Sequence, residues 1–143
     1  MTDESQIQRL MNRYCYAIDG GDFATFQQLF EQAQWMAEGQ TPGKESANNL
    51  ILYPDGTPRT KHVISNIQID IDDRGTAANA RSYVTVYQAT DDLPLQVIFA
   101  GEYFDQFVKE NDQWRFAVRD VRHALIGDIS KHLRIPSLTI SGA

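Results

Sequence analysis

The first apolar residues of the chain recur at helical spacing. From Ile7 to Ile18 the apolar positions recur every three or four residues. This spacing is typical of an amphipathic helix that buries one apolar face, a stripe of residues along the helix. Gly20 and Gly21 follow, and glycine ends helices because it adopts positive φ without strain. After Asp22 a second apolar stripe consists of Phe23, Phe26, Leu29 and Phe30. The sequence therefore predicts two short antiparallel helices at the start of the fold.

From Lys61 onward the spacing changes from helical to alternating. Four stretches show a period of two, at residues 62–71, 76–89, 95–108 and 114–122, and this period is that of strands. The connections between them are short and rich in Asp, Asn and Gly, so neighbouring strands are expected to pair antiparallel as a meander. Helices followed by strands predict the α+β class.

The remaining segments have weaker patterns. Residues 33–38 are predicted to form a short strand and residues 43–52 a third helix. Residues 124–143 show no clear period, so we expect an extended or frayed tail there. With 143 residues, no internal repeat and no linker, the chain is expected to be one domain, 1–143, with a core at about 4–122.

The composition and the net charge limit the classes of binding partner that we expect. The chain is 42% hydrophobic and 22% charged, as in ordinary globular proteins. Its net charge of −6 disfavours nucleic acid and anionic membrane surfaces. Apolar runs are far shorter than the roughly 20 residues of a membrane span, and the start lacks the pattern of a signal peptide, so we expect a soluble cytoplasmic protein. The single cysteine, Cys15, permits no internal disulfide.

Three motifs carry a resemblance to a known family. They are RYCYAIDGGD at residues 13–22, TKHVISN at residues 60–66, and GEYFD at residues 101–105, which leads to Trp114 and Arg119. In this order and spacing they resemble the SnoaL-like family of the nuclear-transport-factor-2-like superfamily. The resemblance implies a curved antiparallel sheet that forms a cone around the N-terminal helices and encloses an apolar pocket. It leaves the function open, because the family includes dehydratases, isomerases, cyclases, a dehydrochlorinase and the non-catalytic small subunits of ring-hydroxylating dioxygenases.

Asp19 and His62 are the leading candidates for catalysis. They match an Asp and a His of the dehydratase and dehydrochlorinase members, and the resemblance implies the same roles here. A carboxylate bonded to one imidazole nitrogen fixes the tautomer and leaves the other nitrogen to remove a proton. The alternative is structural: a carboxylate at a helix end and a strand histidine with satisfied hydrogen bonds.

The alternation around His62 places it on the less apolar face of its strand. His62 and Ile64 share one face, whereas Ile67 and Ile69 take the other. Either a bulge changes the register between them, or both faces are covered, one by the pocket and one by a subunit interface. Covered faces are the favoured interpretation, and they predict a homo-oligomer, either a dimer or a trimer.

Further site residues follow from the same patterns. Tyr14 lies in the buried stripe, where its hydroxyl is a candidate acid or oxyanion donor, or else a core tyrosine. Arg119 resembles an arginine near the family's pocket, with a solvated strand arginine as the alternative. His123 and His132 make no metal-ligand spacing with His62, so no metal and no cofactor are expected. The predicted substrate-binding residues are Trp35, Asn66, Tyr83, Tyr87, Phe99, Phe104 and Arg119.

Two functions are consistent with this sequence. The first is a cofactor-independent lyase or isomerase, similar to a dehydratase or cyclase, that acts on a small apolar metabolite. In it His62 is the general base, Asp19 its orienting partner and Tyr14 the acid or oxyanion donor. The alternative is a non-catalytic module, either a small-molecule binder or a structural subunit similar to the small subunit of ring-hydroxylating dioxygenases.

Overall fold

Helices α1 (Asp3–Asp19) and α2 (Phe23–Leu29) form where the two apolar stripes predict them. The structure is a computed structural model that describes residues 1–39 and 44–138, without the side chains of residues 44–46. After α2 come β1 (Gln34–Ala37), a 3₁₀ helix (Lys44–Asn49), β2 (Thr60–Ile71), β3 (Ala77–Thr90), β4 (Leu93–Glu110) and β5 (Gln113–Ile126). The predicted third helix is this 3₁₀ helix, and residue 43 lies outside the described residues. No helix in the described part of the chain is long and apolar enough to cross a membrane.

The end of α1 is fixed by a close approach of two backbones. Gly21 has a φ of +71°, and a Cβ on it would lie 2.0 Å from the carbonyl oxygen of Gly56. A side chain at position 21 would therefore push the helix end away from the loop that precedes β2. This contact brings the last residue of α1, Asp19, beside the start of β2.

The sheet has the order β1-β5-β4-β3-β2. Strands β2 to β5 pair antiparallel as the predicted meander, but β1 pairs parallel with β5. The sheet is therefore mixed, and β1 departs from the antiparallel sheet that the resemblance implies. It is curved and not closed, and α1 packs its buried stripe against the concave face, with contacts to β2 and β5. The predicted α+β cone is confirmed.

A β-bulge in β2 explains why the alternation in the sequence places His62 on the less apolar face of its strand. The register with β3 shifts between Ser65 and Gln68, and Asn66 has a φ of +54°. The extra residue reverses the alternation, so the partly buried side chains of His62 and Ile67 both turn toward the interior. The bulge, not covered faces, therefore accounts for the pattern, and Val63 on the other face is 47% exposed.

The first residues of the predicted extended or frayed tail, 124–126, are extended strand, and several residues after them pack onto the fold. Strand β5 continues to Ile126, four residues beyond its expected end at 122. Beyond it, Ile129 is buried and Leu133 forms an isolated bridge with Leu50. These apolar side chains pack around the 3₁₀ helix. The sequence pattern does not predict this packing, because the C-terminal segment is neither helix nor strand and has no period. Residues 139–143 of the predicted tail lie outside the described residues.

Candidate active site

A cavity of about 370 Å³ lies between the helices, the concave face of the sheet and the C-terminal segment. This volume is within the range of small-molecule sites, which is about 300–1,000 Å³. Most of its described lining is aliphatic or aromatic, and none of it is Asp, Glu, Lys or Arg. The polar side chains in the wall are Tyr14, Trp35, Asn49, His62, Tyr103, His123 and His132.

Asp19 and His62 form a hydrogen-bonded pair at this cavity. The Nδ1 atom of His62 lies 2.6 Å from Oδ1 of Asp19, and the backbone N–H of His62 donates to Oδ2 at 2.7 Å. The hydroxyl of Thr60 donates to Oδ1 at 2.8 Å. An ionised carboxylate only accepts hydrogen bonds, so Nδ1 carries a proton, and in the neutral imidazole the lone pair is on Nε2. The arrangement suits a general base.

Asp19 is held in its ionised form. Burial by itself raises the pKa of this carboxyl group, but the hydrogen bonds and charge of His62 and the hydroxyl of Thr60 outweigh burial. The pKa of Asp19 therefore lies below its ordinary value. At neutral pH the group is a carboxylate that stabilises an imidazolium formed on His62.

Tyr14 and Trp35 form a second polar pair in the cavity wall. The indole Nε1–H of Trp35 donates to the hydroxyl oxygen of Tyr14 at 3.2 Å, which leaves the phenolic proton for a further acceptor. The ring of Tyr14 meets that of His62 edge to face, with centroids 6.5 Å apart. Burial raises the pKa of Tyr14, although the charge of Arg119 lowers it in part. Tyr14 is thus a neutral hydrogen-bond donor at neutral pH.

Arg119 lies behind the cavity wall, not in it. Its guanidinium is fully buried and makes two hydrogen bonds to Asp105, at 2.8 and 2.9 Å. Its Cζ atom lies 3.7 Å from the ring centroid of Tyr103 and 4.4 Å from that of Tyr14. Burial alone lowers the pKa of a guanidinium, but the charge and hydrogen bonds of Asp105 raise it above its ordinary value. Arg119 therefore supports two aromatic rings of the wall and does not line the cavity as predicted for a substrate-binding residue.

The other predicted substrate-binding residues divide between the two faces of the sheet. Trp35 and Phe99 line the cavity. Four predicted residues do not line it and are exposed instead: Asn66, Tyr83, Tyr87 and Phe104. Asn66 is displaced by the bulge, and the two tyrosines alternate with the buried Val84 and Val86 of β3. Phe104 lies outside under the guanidinium of Arg81, whose Cζ atom is 5.5 Å from the ring centroid.

Two histidines of the cavity wall were not predicted as site residues from the sequence. The Nδ1 atom of His123, on β5, lies 3.6 Å from Oε1 of Glu38. His132 belongs to the C-terminal segment, and both side chains line the cavity. Burial, together with the charge of the neighbouring His62, lowers the pKa of His132 to about 4. His132 carried no signal besides its residue type, because its segment has no period that would indicate a packed position.

The lowered pKa of His132 predicts a loss of stability in mild acid. The unfolded chain protonates this imidazole near its ordinary pKa of about 6.5, whereas the folded protein does so only near a pKa of about 4. Between these values the unfolded state binds more protons, so the free energy of unfolding falls as the pH is lowered. Between pH 7 and pH 4.5 we expect the wild type to lose about 2 kcal/mol more than His132→Gln, as measured by urea denaturation. Parallel losses in the two proteins would contradict the expectation.

Within residues 1–39 and 44–138, no group of three or more His, Cys, Asp or Glu side chains is placed to hold a metal ion.

Cys15 is buried in the hydrophobic core, and burial raises the pKa of its thiol to about 11. The thiol is therefore protonated at neutral pH and packs as a small apolar side chain.

Comparison with known proteins identifies a family and a fold. A model of the SnoaL-like domain matches residues 1–120. No curated protein matches this chain significantly.

Several solved structures are similar to this one. A putative scytalone dehydratase from Novosphingobium aromaticivorans has 26% identity and a TM-score of 0.72, over 99% of this chain and 94% of that one. A variant of Rv3472, a function unknown protein from Mycobacterium tuberculosis, has 25% identity and a TM-score of 0.70, over 96% and 78%. LinA has 18% identity and a TM-score of 0.65, over 98% and 92%, and this likeness concerns the fold alone.

Proposed function

We propose that this chain, which belongs to the SnoaL-like family, is a cofactor-independent lyase or isomerase of a small, mostly apolar metabolite. The observation that carries the proposal is the Asp19–His62 pair, hydrogen-bonded at 2.6 Å in the wall of an apolar cavity. The similar structure of a putative scytalone dehydratase supports the same class of reaction. His62 is the general base and Asp19 is the residue that orients it.

The proposed reaction starts with proton removal from carbon. Nε2 of His62 takes the proton, and the electron pair of the C–H bond forms a new double bond. Asp19 stabilises the imidazolium that results, and the apolar surroundings strengthen this interaction. The proton then passes from His62 either to another carbon, which completes an isomerisation, or to a departing oxygen, which completes an elimination. Tyr14 is the proposed donor to an oxygen that gains charge in either case.

The cavity wall also indicates the class of substrate. Because no Lys or Arg is among the described lining residues, a carboxylate or phosphate on the substrate would be buried without a counter-ion, at a high cost in free energy. The aromatic side chains of Phe26, Trp35 and Phe99 offer flat apolar surfaces. We therefore propose an uncharged substrate, with cyclic compounds as the first to examine.

Exchange with solvent deuterium tests the proposed proton removal without knowledge of the true substrate. The protein is incubated in D₂O with neutral cyclic ketones, such as cyclohexanone and 2-tetralone, and proton NMR follows the loss of the α-proton signals. Wild type is expected to exchange at least one ketone faster than buffer, whereas His62→Phe exchanges at the buffer rate. Tyr83→Phe on the exposed face is the control and is expected to match wild type. Equal rates for wild type and His62→Phe would contradict the proposal.

A non-catalytic role is the second candidate, and the outer face of the sheet favours it. Several apolar side chains are exposed there, among them Val63, Val97 and Leu125, which is 70% exposed. Such a surface is typical of assembly with another protein or with a second copy of the chain. A structural subunit would show no exchange that depends on His62, so the same experiment separates the two candidates.

A further inference from the structure

His132 is presented to the cavity by a firmly held segment. Its carbonyl oxygen accepts the backbone N–H of Ile51 at 2.8 Å, and its own N–H donates to the carbonyl of Ile129 at 3.1 Å. The carbonyl of the preceding residue, Lys131, accepts hydrogen bonds from the Tyr53 hydroxyl and from the Gln88 amide. These bonds tie the segment to the 3₁₀ helix region and to β3. The backbone of His132 is therefore fixed in position, which limits where its side chain can lie, as a group that binds a ligand requires.

The imidazole of His132 has a buried nitrogen without a partner. Its Nδ1 atom is one of the few buried side-chain polar atoms that make no hydrogen bond within the described part of the chain. Buried polar atoms are nearly always hydrogen-bonded, so each exception calls for an explanation. The same side chain lines the cavity beside His62. Because Nδ1 is enclosed by protein atoms, a ligand in the cavity would meet the ring at its other nitrogen, Nε2, which also makes no hydrogen bond to a described residue.

The charge state of His132 suits an uncharged ligand. Its pKa of about 4 keeps the ring neutral at physiological pH. A neutral imidazole has one N–H donor and one lone pair, so it binds a hydroxyl or carbonyl group without adding a charge to the apolar cavity. His62 has a different hydrogen-bonding state, because its Nδ1 atom already bonds the carboxylate of Asp19.

We propose that His132 is a substrate-binding residue that hydrogen-bonds an oxygen function, a hydroxyl or a carbonyl, on a neutral cyclic substrate. This inference rests on the proposed function in one respect, namely that the cavity is the ligand site. It names the polar group that the substrate has to carry besides its apolar ring. When His62 removes a proton next to a carbonyl, the C–H electron pair forms a carbon–carbon double bond and the carbonyl π pair moves onto oxygen. His132 donates a second hydrogen bond to that oxygen, in addition to the one proposed for Tyr14.

Two probes of nearly equal shape test this assignment. Naphthalene and 2-naphthol differ by one hydroxyl group, and the fluorescence of each reports its binding. Wild type is expected to bind 2-naphthol about tenfold more tightly than naphthalene, as expected for about 1.4 kcal/mol from one hydrogen bond. In His132→Leu the ratio is expected to fall to between one and two, while the Kd of naphthalene changes less than threefold. His132→Gln keeps a polar amide and is expected to give an intermediate ratio, which keeps the proposal testable if His132→Leu does not fold.

The matched control is a second histidine of the same wall. His123→Leu removes an imidazole that lies against Glu38, and this variant is expected to keep the wild-type ratio. A wild-type ratio near one, a wild-type ratio retained in His132→Leu, or an equal loss in both leucine variants would each overturn the proposal. So would a failure of wild type to bind either probe.

The binding test and the deuterium exchange test fail independently. Probe binding needs no turnover, so the predicted loss of selectivity in His132→Leu supports His132 as a binding residue even if His62 shows no catalysis. Conversely, exchange that depends on His62 together with an unchanged probe ratio in His132→Leu supports the proposed function and removes His132 from it.

Discussion

Replacing Arg119 with methionine is expected to lower the free energy of unfolding by about 3–5 kcal/mol. The guanidinium and its partner Asp105 are both fully buried, and two hydrogen bonds join them. Without Arg119, the Asp105 carboxylate stays in an apolar environment with no opposite charge, and it has to be protonated or hydrated there. The measurement is urea denaturation at pH 7, monitored by tryptophan fluorescence.

The control for Arg119→Met is an exposed ion pair. Arg115 and Glu110 lie 3.0 Å apart, but their side chains are 33% and 56% exposed, so Arg115→Met is expected to cost less than about 1 kcal/mol. The double variant Arg119→Met with Asp105→Leu removes both buried charges and is expected to recover most of the loss. A loss below about 1 kcal/mol for Arg119→Met alone would show that the buried pair is not the stabilising contact we infer.

Arg119 also connects the core to the candidate site. Its guanidinium lies against the rings of Tyr14 and Tyr103, with Tyr103 the closer. A cation held against an aromatic face restricts that ring. The ion pair with Asp105 thus contributes to the position of the Tyr14 hydroxyl, although neither charged residue lines the cavity.

Local patterns in the sequence were enough for most of the fold. The stripe from Ile7 to Ile18 and the glycines after Asp19 correctly predicted α1 and its end. The change to a period of two at Lys61 predicted the four-strand meander. These features depend on residues close in sequence, and for them periodicity and turn chemistry are sufficient. The pairing of Asp19 with His62 was predicted from the family resemblance, because contacts between residues distant in sequence do not affect the periodicity of either segment.

The parts that the sequence did not reveal depend on pairing between distant residues. Tyr83 and Tyr87 lie on one face of β3, as the alternation predicts, but alternation does not show which face of a strand packs against the helices. The bulge at Asn66 is visible only in the register with β3. His132 reaches the cavity because its segment forms backbone hydrogen bonds with Ile51 and a bridge from Leu133 to Leu50. A single sequence contains no local signal for such pairings.

Replacing Asp19 with asparagine is expected to lower kcat/KM by about 10²–10⁴, once a substrate has been identified by the exchange experiment. The amide side chain would keep the size of the carboxylate but replace an acceptor oxygen with an NH₂ group and remove the charge. The imidazole of His62 would then lose the partner that holds its proton on Nδ1, and the imidazolium formed during reaction would lose its counter-ion. In a serine-protease triad the same change lowers kcat by about 10⁴, because it favours the wrong tautomer.

Thr60→Val separates the role of the carboxylate from that of its surroundings. Thr60 donates one hydrogen bond to Asp19, at 2.8 Å, and is itself buried. Its loss weakens the hold on the carboxylate but leaves the charge and the bond to His62 in place. We therefore expect kcat/KM to fall by only about tenfold, as for the loss of about 1.4 kcal/mol. If Asp19→Asn reduces kcat/KM no more than Thr60→Val does, with both variants folded by thermal denaturation, Asp19 is a structural residue at a helix end and the base has to act without it.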